Sequence, residues 1–246
     1  MRSRSAPGPI PAETVVRLIS EGFSQALHLI LGLDPDLREA AWRTLQISGA
    51  ATIVSLFLGA PAGVALALSR FPGRTLLVAL INTGMGLPPV VAGLFVMILL
   101  WRSGPLGELG LLYTPAAMVL AQSLIALPMV TGLSLSAVQS LPARLRVQIR
   151  ALGATRLQTA WLMAREAQLP LLAALMAGFG AVVSEVGASL MVGGNLRGST
   201  RVLTTAIVLE ASKGKFATAI ALGLVLLALA FSINLILTRL QQRGRT

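Results

Sequence analysis

The sequence predicts an all-helical bundle that crosses a membrane several times. Of its 246 residues, 55% are hydrophobic and only 12% are charged, against about 25% charged residues in ordinary soluble domains. The charges are also clustered, so that long stretches of the chain carry none. These stretches exceed the roughly 20 apolar residues that a membrane helix needs.

Five charge-poor intervals are long enough to be strong candidate spans. They are bounded by Arg43 and Arg70, Arg74 and Arg102, Glu108 and Arg144, Glu166 and Arg197, and Lys215 and Arg239. The predicted spans are 44–69, 76–101, 115–140, 169–190 and 216–238. Several contain Gly and Pro, which membrane helices tolerate when neighbours satisfy the freed backbone groups. The run from Gly59 to Gly63 favours close helix packing, with a dimer contact as the weaker alternative.

The segment 14–33 is a weaker candidate, because it contains Arg17, Glu21 and His28. It is either an amphipathic helix in the membrane interface or a first span. With six spans and both termini inside, arginine and lysine are more frequent inside, whereas five spans give equal numbers on the two sides. The positive-inside rule therefore favours six. We expect an N-terminal tail and first or interfacial helix over 1–33, a transmembrane domain over 34–240 and a cytoplasmic tail over 241–246.

The formal net charge of +11 does not indicate a nucleic-acid-binding protein, because aromatic residues make up only 4% of the chain. Cationic loops facing an anionic inner leaflet explain it better. The chain has no Cys, which excludes thiolate metal sites, and its single His excludes a site with two His ligands. It also has no phosphate-binding Gly-x-x-x-x-Gly-Lys-Ser/Thr run. We expect no catalytic residue, no metal and no cofactor. A membrane-embedded enzyme would need paired catalytic groups, yet only Glu185 is charged in the five spans.

The predicted internal segment 141–168 has helical apolar periodicity on both sides of Gly153. Ala154 and Thr155 follow the glycine, so two short helices would meet at a corner with little side-chain bulk. Such a corner suits docking into a groove of another protein. The alternative is an amphipathic loop that rests on the membrane. A passive channel would give no reason for this long cationic segment.

Glu185 and the Gly-rich stretch that follows it form the second candidate region. A carboxylate deep in a span is costly and usually faces a bundle interior or water. Glu185 could therefore belong to a gate, or it could be a structural carboxylate bonded to a neighbouring helix end, for example near Asn195. The glycines around Asn195 predict a tight turn, whose backbone N–H groups could meet an oxyanion. The alternative is a plain external loop over 191–215.

The internal segment resembles the cytoplasmic loop of ABC importer permeases, in which a Gly corner is followed by Leu-Pro. The matching residues are Gly153 and Leu169-Pro170. The family's Glu-Ala-Ala positions are Val147, Gln148 and Ile149 here, and the spacing from Gly153 to Pro170 is longer than usual. The resemblance implies a type I importer permease whose ATPase-coupling residues are Arg150, Leu152, Gly153, Ala154, Thr155 and Arg156.

The second region resembles the permeases that import molybdate, sulfate and tungstate, and it is closer to the tungstate branch. The match is carried by Glu185, Gly187, Gly194, Asn195, Gly198, Thr200, Leu203, Ala206 and Ile207. The first six of these are then the gate or pathway candidates. The resemblance implies an inner-membrane homodimer that imports tungstate, or alternatively molybdate or another tetrahedral oxyanion. Its partners would be an ATPase subunit that hydrolyses the ATP, an extracytoplasmic oxyanion-binding protein and the lipid bilayer, without nucleic acid.

Overall fold

The computed structural model describes residues 12–32 and 34–243, and these residues form helices and turns without a strand. The parts of the predicted termini at 1–11 and 244–246 lie outside the described residues. The helices are α1 (Ala12–Leu31), α2 (Pro35–Leu68), α3 (Arg74–Met85), α4 (Pro89–Leu100), α5 (Pro115–Gln139), α6 (Ala143–Ala151), α7 (Arg156–Glu166), α8 (Gln168–Val183), α9 (Gly187–Gly193), α10 (Leu203–Ser212) and α11 (Phe216–Arg243). The all-helical fold class is therefore confirmed.

Three of the described helices are long and apolar enough to cross a membrane: α2, α5 and α11. Two bent pairs, α3 with α4 and α7 with α8, raise the number to five if each pair is one span. The helix α1 is not among them, although it packs against α11. A Cβ on its Gly22 would lie 2.5 Å from the Ile220 side chain. The preference for six spans stays a prediction.

The predicted continuous span 76–101 is wrong in one respect, because it is broken in the middle. The helix α3 ends at Met85, and α4 starts at Pro89 after a bend of 103°. Pro88 and Pro89 lack a backbone N–H, so they can start a helix but cannot continue one. The Gly86 N–H donates to the carbonyl groups at the end of α3 and closes that helix.

The predicted span 169–190 and the predicted loop 191–215 also need correction. The helix α8 ends at Val183, and the separate short helix α9 begins at Gly187. Within the expected loop, α10 forms a ten-residue helix from Leu203 to Ser212. Leu203 and Ala206 are buried with Leu37 and Leu222 of α2 and α11. Tertiary burial thus stabilises α10, which is too short to be a stable helix alone.

Close packing of α2 on α5 forms the centre of the bundle. A Cβ on Gly63 would lie 2.4 Å from the Thr131 carbonyl oxygen, and one on Gly59 would lie 3.0 Å from the Thr131 hydroxyl. The small residues let the two helix backbones approach each other, as small-xxx-small motifs do in membranes. The first interpretation of this motif is confirmed, with α5 of the same chain as the partner.

Candidate functional site

The corner, residues 150–156, joins α6 to α7 through a left-handed glycine. Gly153 has φ +82°, and its N–H donates to the Arg150 carbonyl oxygen while the Ala154 N–H donates to that of Ile149. These two bonds form a Schellman motif, which commonly ends a helix with Gly at this position. Thr155 then starts α7, because its hydroxyl accepts from the Gln158 N–H while the Gln158 side chain accepts from the Thr155 N–H.

The tip of the corner exposes apolar side chains. Leu152 is 89% exposed and Leu157 is 81% exposed, one on each side of Gly153. Arg150 and Arg156 flank the same turn and are exposed as well, whereas Ala154 is half-buried. A Cβ on Gly153 would have no neighbour within 4 Å. The corner is therefore an open protrusion that is free to enter a groove.

The opposite faces of α6 and α7 anchor the corner to the bundle. Ile149 of α6 and Met163 of α7 are buried in one cluster with Val64 of α2 and Val138 of α5. The helix α8 follows α7 after a bend of 73°. The base of the corner therefore contacts the ends of α2 and α5, and α7 leads directly into α8.

Glu185 is 4% exposed and caps the short helix α9. Its two carboxylate oxygens accept from the Ala188 N–H at 2.6 Å and the Ser189 N–H at 3.0 Å. The Ser189 hydroxyl donates to the same carboxylate at 2.7 Å. A carboxylate is favourable at a helix N-terminus, where unpaired N–H groups carry positive partial charge. The carboxylate therefore has a structural partner in α9 itself, and Asn195 is not among its partners.

Two further elements hold the break between α8 and α9. The Gln122 amide of α5 donates to the Ser189 hydroxyl at 3.2 Å, and the Thr204 hydroxyl of α10 donates to the Glu185 carbonyl oxygen at 2.9 Å. The helix α9 also lies against α4, since a Cβ on Gly187 would be 2.6 Å from Val90 Cγ2. The helices α4 and α9, each of which follows a break in a predicted span, therefore pack directly on each other.

The Gly-rich turn after α9 is closed by its own side chains. Gly194 and Gly198 have φ +66° and +80°, in the left-handed region that favours glycine. Asn195 accepts from the Thr205 hydroxyl at 2.9 Å, and Thr200 accepts from the Leu196 N–H at 2.9 Å. The Thr200 hydroxyl also donates to the Gly193 carbonyl oxygen. The side chains of Asn195 and Thr200 are thus engaged within the turn and with the start of α10.

The structure groups the candidate residues into two separate regions. The residues from Arg150 to Arg156 lie at the corner, which is anchored by the buried cluster of α2, α5, α6 and α7. Glu185, Gly187, Gly194, Asn195, Gly198 and Thr200 lie together around α9, which we call the α9 region, residues 185–201; it belongs to a different buried cluster, with α4 and α5.

Sequence reasoning missed the polar residues that hold this region from other helices. Gln122 and Thr204 are more than 15 residues from Glu185 in the chain, so no local spacing links them to it. Thr44 of α2 similarly accepts from the Leu203 N–H at 2.9 Å and supports the start of α10. Ser189 could have been found, since a Ser four residues after a Glu lies on the same helix face.

The bent spans, the protruding corner and the packed short helices define a multi-pass membrane transport subunit. The chain belongs to the family described as the binding-protein-dependent transport system inner membrane component, whose model matches residues 59–246. It is the permease subunit of an ABC importer, a transport component and not an enzyme. Membership implies an ATPase and a binding protein as partners.

Named relatives support the family over nearly the whole chain. A probable anion ABC transporter permease protein of Haloferax volcanii is 46% identical over 205 residues, which cover 81% of this chain and 88% of the relative. The tungstate uptake system permease protein TupB of Peptoclostridium acidaminophilum is 38% identical, over 91% of this chain and 98% of the relative. The sulfate transport system permease protein CysW of Escherichia coli is 28% identical, over 94% and 84%.

The fold is similar to that of solved importer structures. An inward-facing structure of the MetNI methionine ABC transporter superposes with a TM-score of 0.72, covers 86% of this chain and 97% of the solved chain, and is 22% identical. At this identity the likeness shows the fold alone.

Proposed function

We propose that this permease imports tungstate, as one of two identical copies that form the pathway. The substrate assignment rests on the tungstate uptake permeases of two organisms, which are 38% and 35% identical over 91% of this chain. Three sulfate transport permeases are 28–30% identical. An extracytoplasmic binding protein delivers the oxyanion, and ATP is used only by the partner ATPase.

The observation that carries the mechanism is the corner, which is open at its tip and anchored at its base. Leu152 and Leu157 are mostly exposed, so they contribute little to the fold of this chain and are available for an ATPase groove. The buried faces connect the corner to α2, α5 and α8. Movement of the ATPases on binding and hydrolysing ATP therefore reaches the bundle. The contacts between the corner and the ATPase differ between the two conformations of the transporter that alternate access, as coupling requires.

Glu185 acts as a scaffold for the gate and does not bind the transported anion. Its carboxylate already accepts three hydrogen bonds from α9. It fixes the start of α9 against α4, and these two half-helices change their packing when access alternates. The side chains around Asn195 and Thr200 hold the other end of α9 in the same way.

The coupling role is tested with Gly153→Trp in the complete transporter. The bulky side chain would fill the space at the tip, so we expect the ATPase to be lost on co-purification and uptake to stop. Gly214→Trp is a matched control, because Gly214 also has a positive φ of +75° with nothing within 4 Å. Normal ATPase binding by Gly153→Trp would contradict the proposed coupling.

The substrate is tested by competition in vesicles that contain the permease, its ATPase and its binding protein. Tungstate should inhibit the uptake of labelled tungstate at lower concentration than molybdate or sulfate does. Equal or stronger inhibition by molybdate would overturn the tungstate assignment. Because the binding protein also selects the anion, the same test is repeated with a binding protein from a molybdate system.

A further inference from the structure

A cavity lined by four arginines lies next to the corner. Its volume is about 830 Å³, and it is bounded by the end of α2, the turn before α3, and the helices α6 and α7. Its cationic lining consists of Arg70, Arg146, Arg150 and Arg156, and the remaining wall is mainly apolar or small: Ala65, Leu68, Ser69, Ala154, Leu157, Thr159 and Ala160.

No carboxylate lies among the residues that line this cavity. Burial lowers the pKa of the Arg146 guanidinium, and the charges of Arg150 and then Arg70 lower it further. Arg150 and Arg70 are thus close enough to Arg146 to disfavour its charge. Arg156 adds to the positive potential, since it stands at the N-terminus of α7, where the helix dipole is also positive.

The fold accounts for only one of these four arginines. Arg146 donates to the Leu68 carbonyl oxygen and so satisfies the end of α2. Arg70, Arg150 and Arg156 make no side-chain hydrogen bond or ion pair with any residue in 12–32 or 34–243. By contrast, Arg197 and Lys213 each pair with a carboxylate. A cluster of like charges without such partners destabilises the chain unless an anion neutralises it.

We propose that this cavity binds a phosphate-type oxyanion, and that the phosphodiester of an anionic phospholipid is its source. Basic pockets at the cytoplasmic ends of membrane helices bind such headgroups. The space is much larger than one tetrahedral anion, and the apolar wall, including Leu68 and Leu157, suits the glycerol and the first acyl carbons. A free oxyanion shares the headgroup chemistry and would use the same arginines. Arg150 and Arg156 belong to the corner as well, and Leu157 flanks it, so lipid binding is measured without the ATPase. The site does not depend on tungstate transport.

The test measures lipid retention by the purified full-length permease without its ATPase. The permease is titrated with phosphatidylglycerol in neutral detergent, and bound lipid is counted by native mass spectrometry. The double variant Arg70→Gln/Arg150→Gln should weaken binding by about 30-fold, since each cation near a membrane surface contributes about a factor of five. The control Arg38→Gln/Arg102→Gln removes two exposed arginines that do not line the cavity. Arg38 lies in the first turn of α2, at the end opposite the cavity, and Arg102 follows the end of α4. This variant should bind phosphatidylglycerol as the wild type does.

A second arm identifies the source of the anion. Inorganic phosphate and sodium tungstate are titrated separately against the permease in phosphatidylcholine nanodiscs. Saturable, arginine-dependent binding of phosphatidylglycerol, but not of the free ions, supports the proposal as stated. Saturable, arginine-dependent binding of a free ion alone supports the oxyanion site and overturns the lipid source. Binding that is equal in both double variants, or absent throughout, overturns the site. Since none of these readouts uses ATP or uptake, failure here is distinct from failure of the proposed transport function.

Discussion

Gly153 and Gly194 both hold a left-handed backbone conformation, but their surroundings differ. A Cβ on Gly153 would meet nothing within 4 Å, whereas one on Gly194 would lie 2.9 Å from the Tyr113 ring. The same contrast extends to their regions. Leu152 and Leu157 at the corner are exposed, while Ser189 and Glu185 of the α9 region accept hydrogen bonds from α5 and α10. The corner is thus shaped for a partner, and the α9 region is stabilised within the chain.

The strongest test of this contrast is the loss of the Glu185 carboxylate. Glu185→Ala leaves the Ala188 and Ser189 N–H groups without their acceptor, and each buried unpaired donor costs about 1–3 kcal/mol. We expect the free energy of unfolding to fall by about 3 kcal/mol or more, measured by thermal denaturation in detergent. The exposed Glu108→Ala is the control. A stable Glu185→Ala variant would mean that the α9 region does not depend on its cap.

A smaller loss of stability is expected from Gly93→Ala in α4. The added Cβ would lie 2.5 Å from Ala188 Cα, a backbone atom that cannot rotate away. Overpacking of this kind typically costs about 1–3 kcal/mol. Gly180→Ala in α8 is the matched control, because its Cβ meets nothing within 4 Å, and a helical Gly→Ala change there should be neutral or stabilising. Equal melting temperatures for the two variants would show that α4 and α9 are not tightly packed.

At the corner, we expect the opposite pattern of effects. Leu152→Ala should change the free energy of unfolding by no more than about 0.5 kcal/mol, since the side chain is exposed. It should nevertheless weaken ATPase binding by about 1 kcal/mol or more if this leucine is an interface anchor. The two quantities are measured on the same preparation, by thermal denaturation and by ATPase titration. Loss of stability without loss of ATPase binding would reverse the assigned role.

The smallest effect is expected at the exposed pair of Arg197 and Asp36. The hydrogen bond to Asp36, followed by its charge, raises the pKa of Arg197. Because the pKa of Arg197 is higher in the folded than in the unfolded state, its stabilising contribution is complete below the unfolded-state pKa. The contribution is lost only as the pH rises through the folded-state pKa, and both pKa values of an arginine lie far above neutral pH. The stability difference between wild type and Arg197→Ala should therefore be constant from about pH 6 to about pH 9 and shrink at high salt. A pH-dependent difference would contradict this.

The sequence predicted the helical class and the three unbroken spans of α2, α5 and α11, because the absence of charge is a property of the chain itself. It also predicted the helix–glycine–helix pattern around Gly153, since a Schellman motif is local. The proline pair at Pro88 and Pro89 does not by itself locate the break, because Pro61 and Pro128 lie inside unbroken helices. The helix α10 was missed, because its burial depends on Leu37 and Leu222 from distant parts of the chain. The partners of Glu185 were missed for the same reason.

The cap on α9 also determines whether a free anion can bind at the start of this helix. Two of the N–H groups at the start of α9 are already bound by a carboxylate of the same chain. Any free oxyanion must compete with this tethered group, whose effective concentration far exceeds that of a dilute solute. The first turn of α9 is therefore closed to free anions by a group of the chain itself.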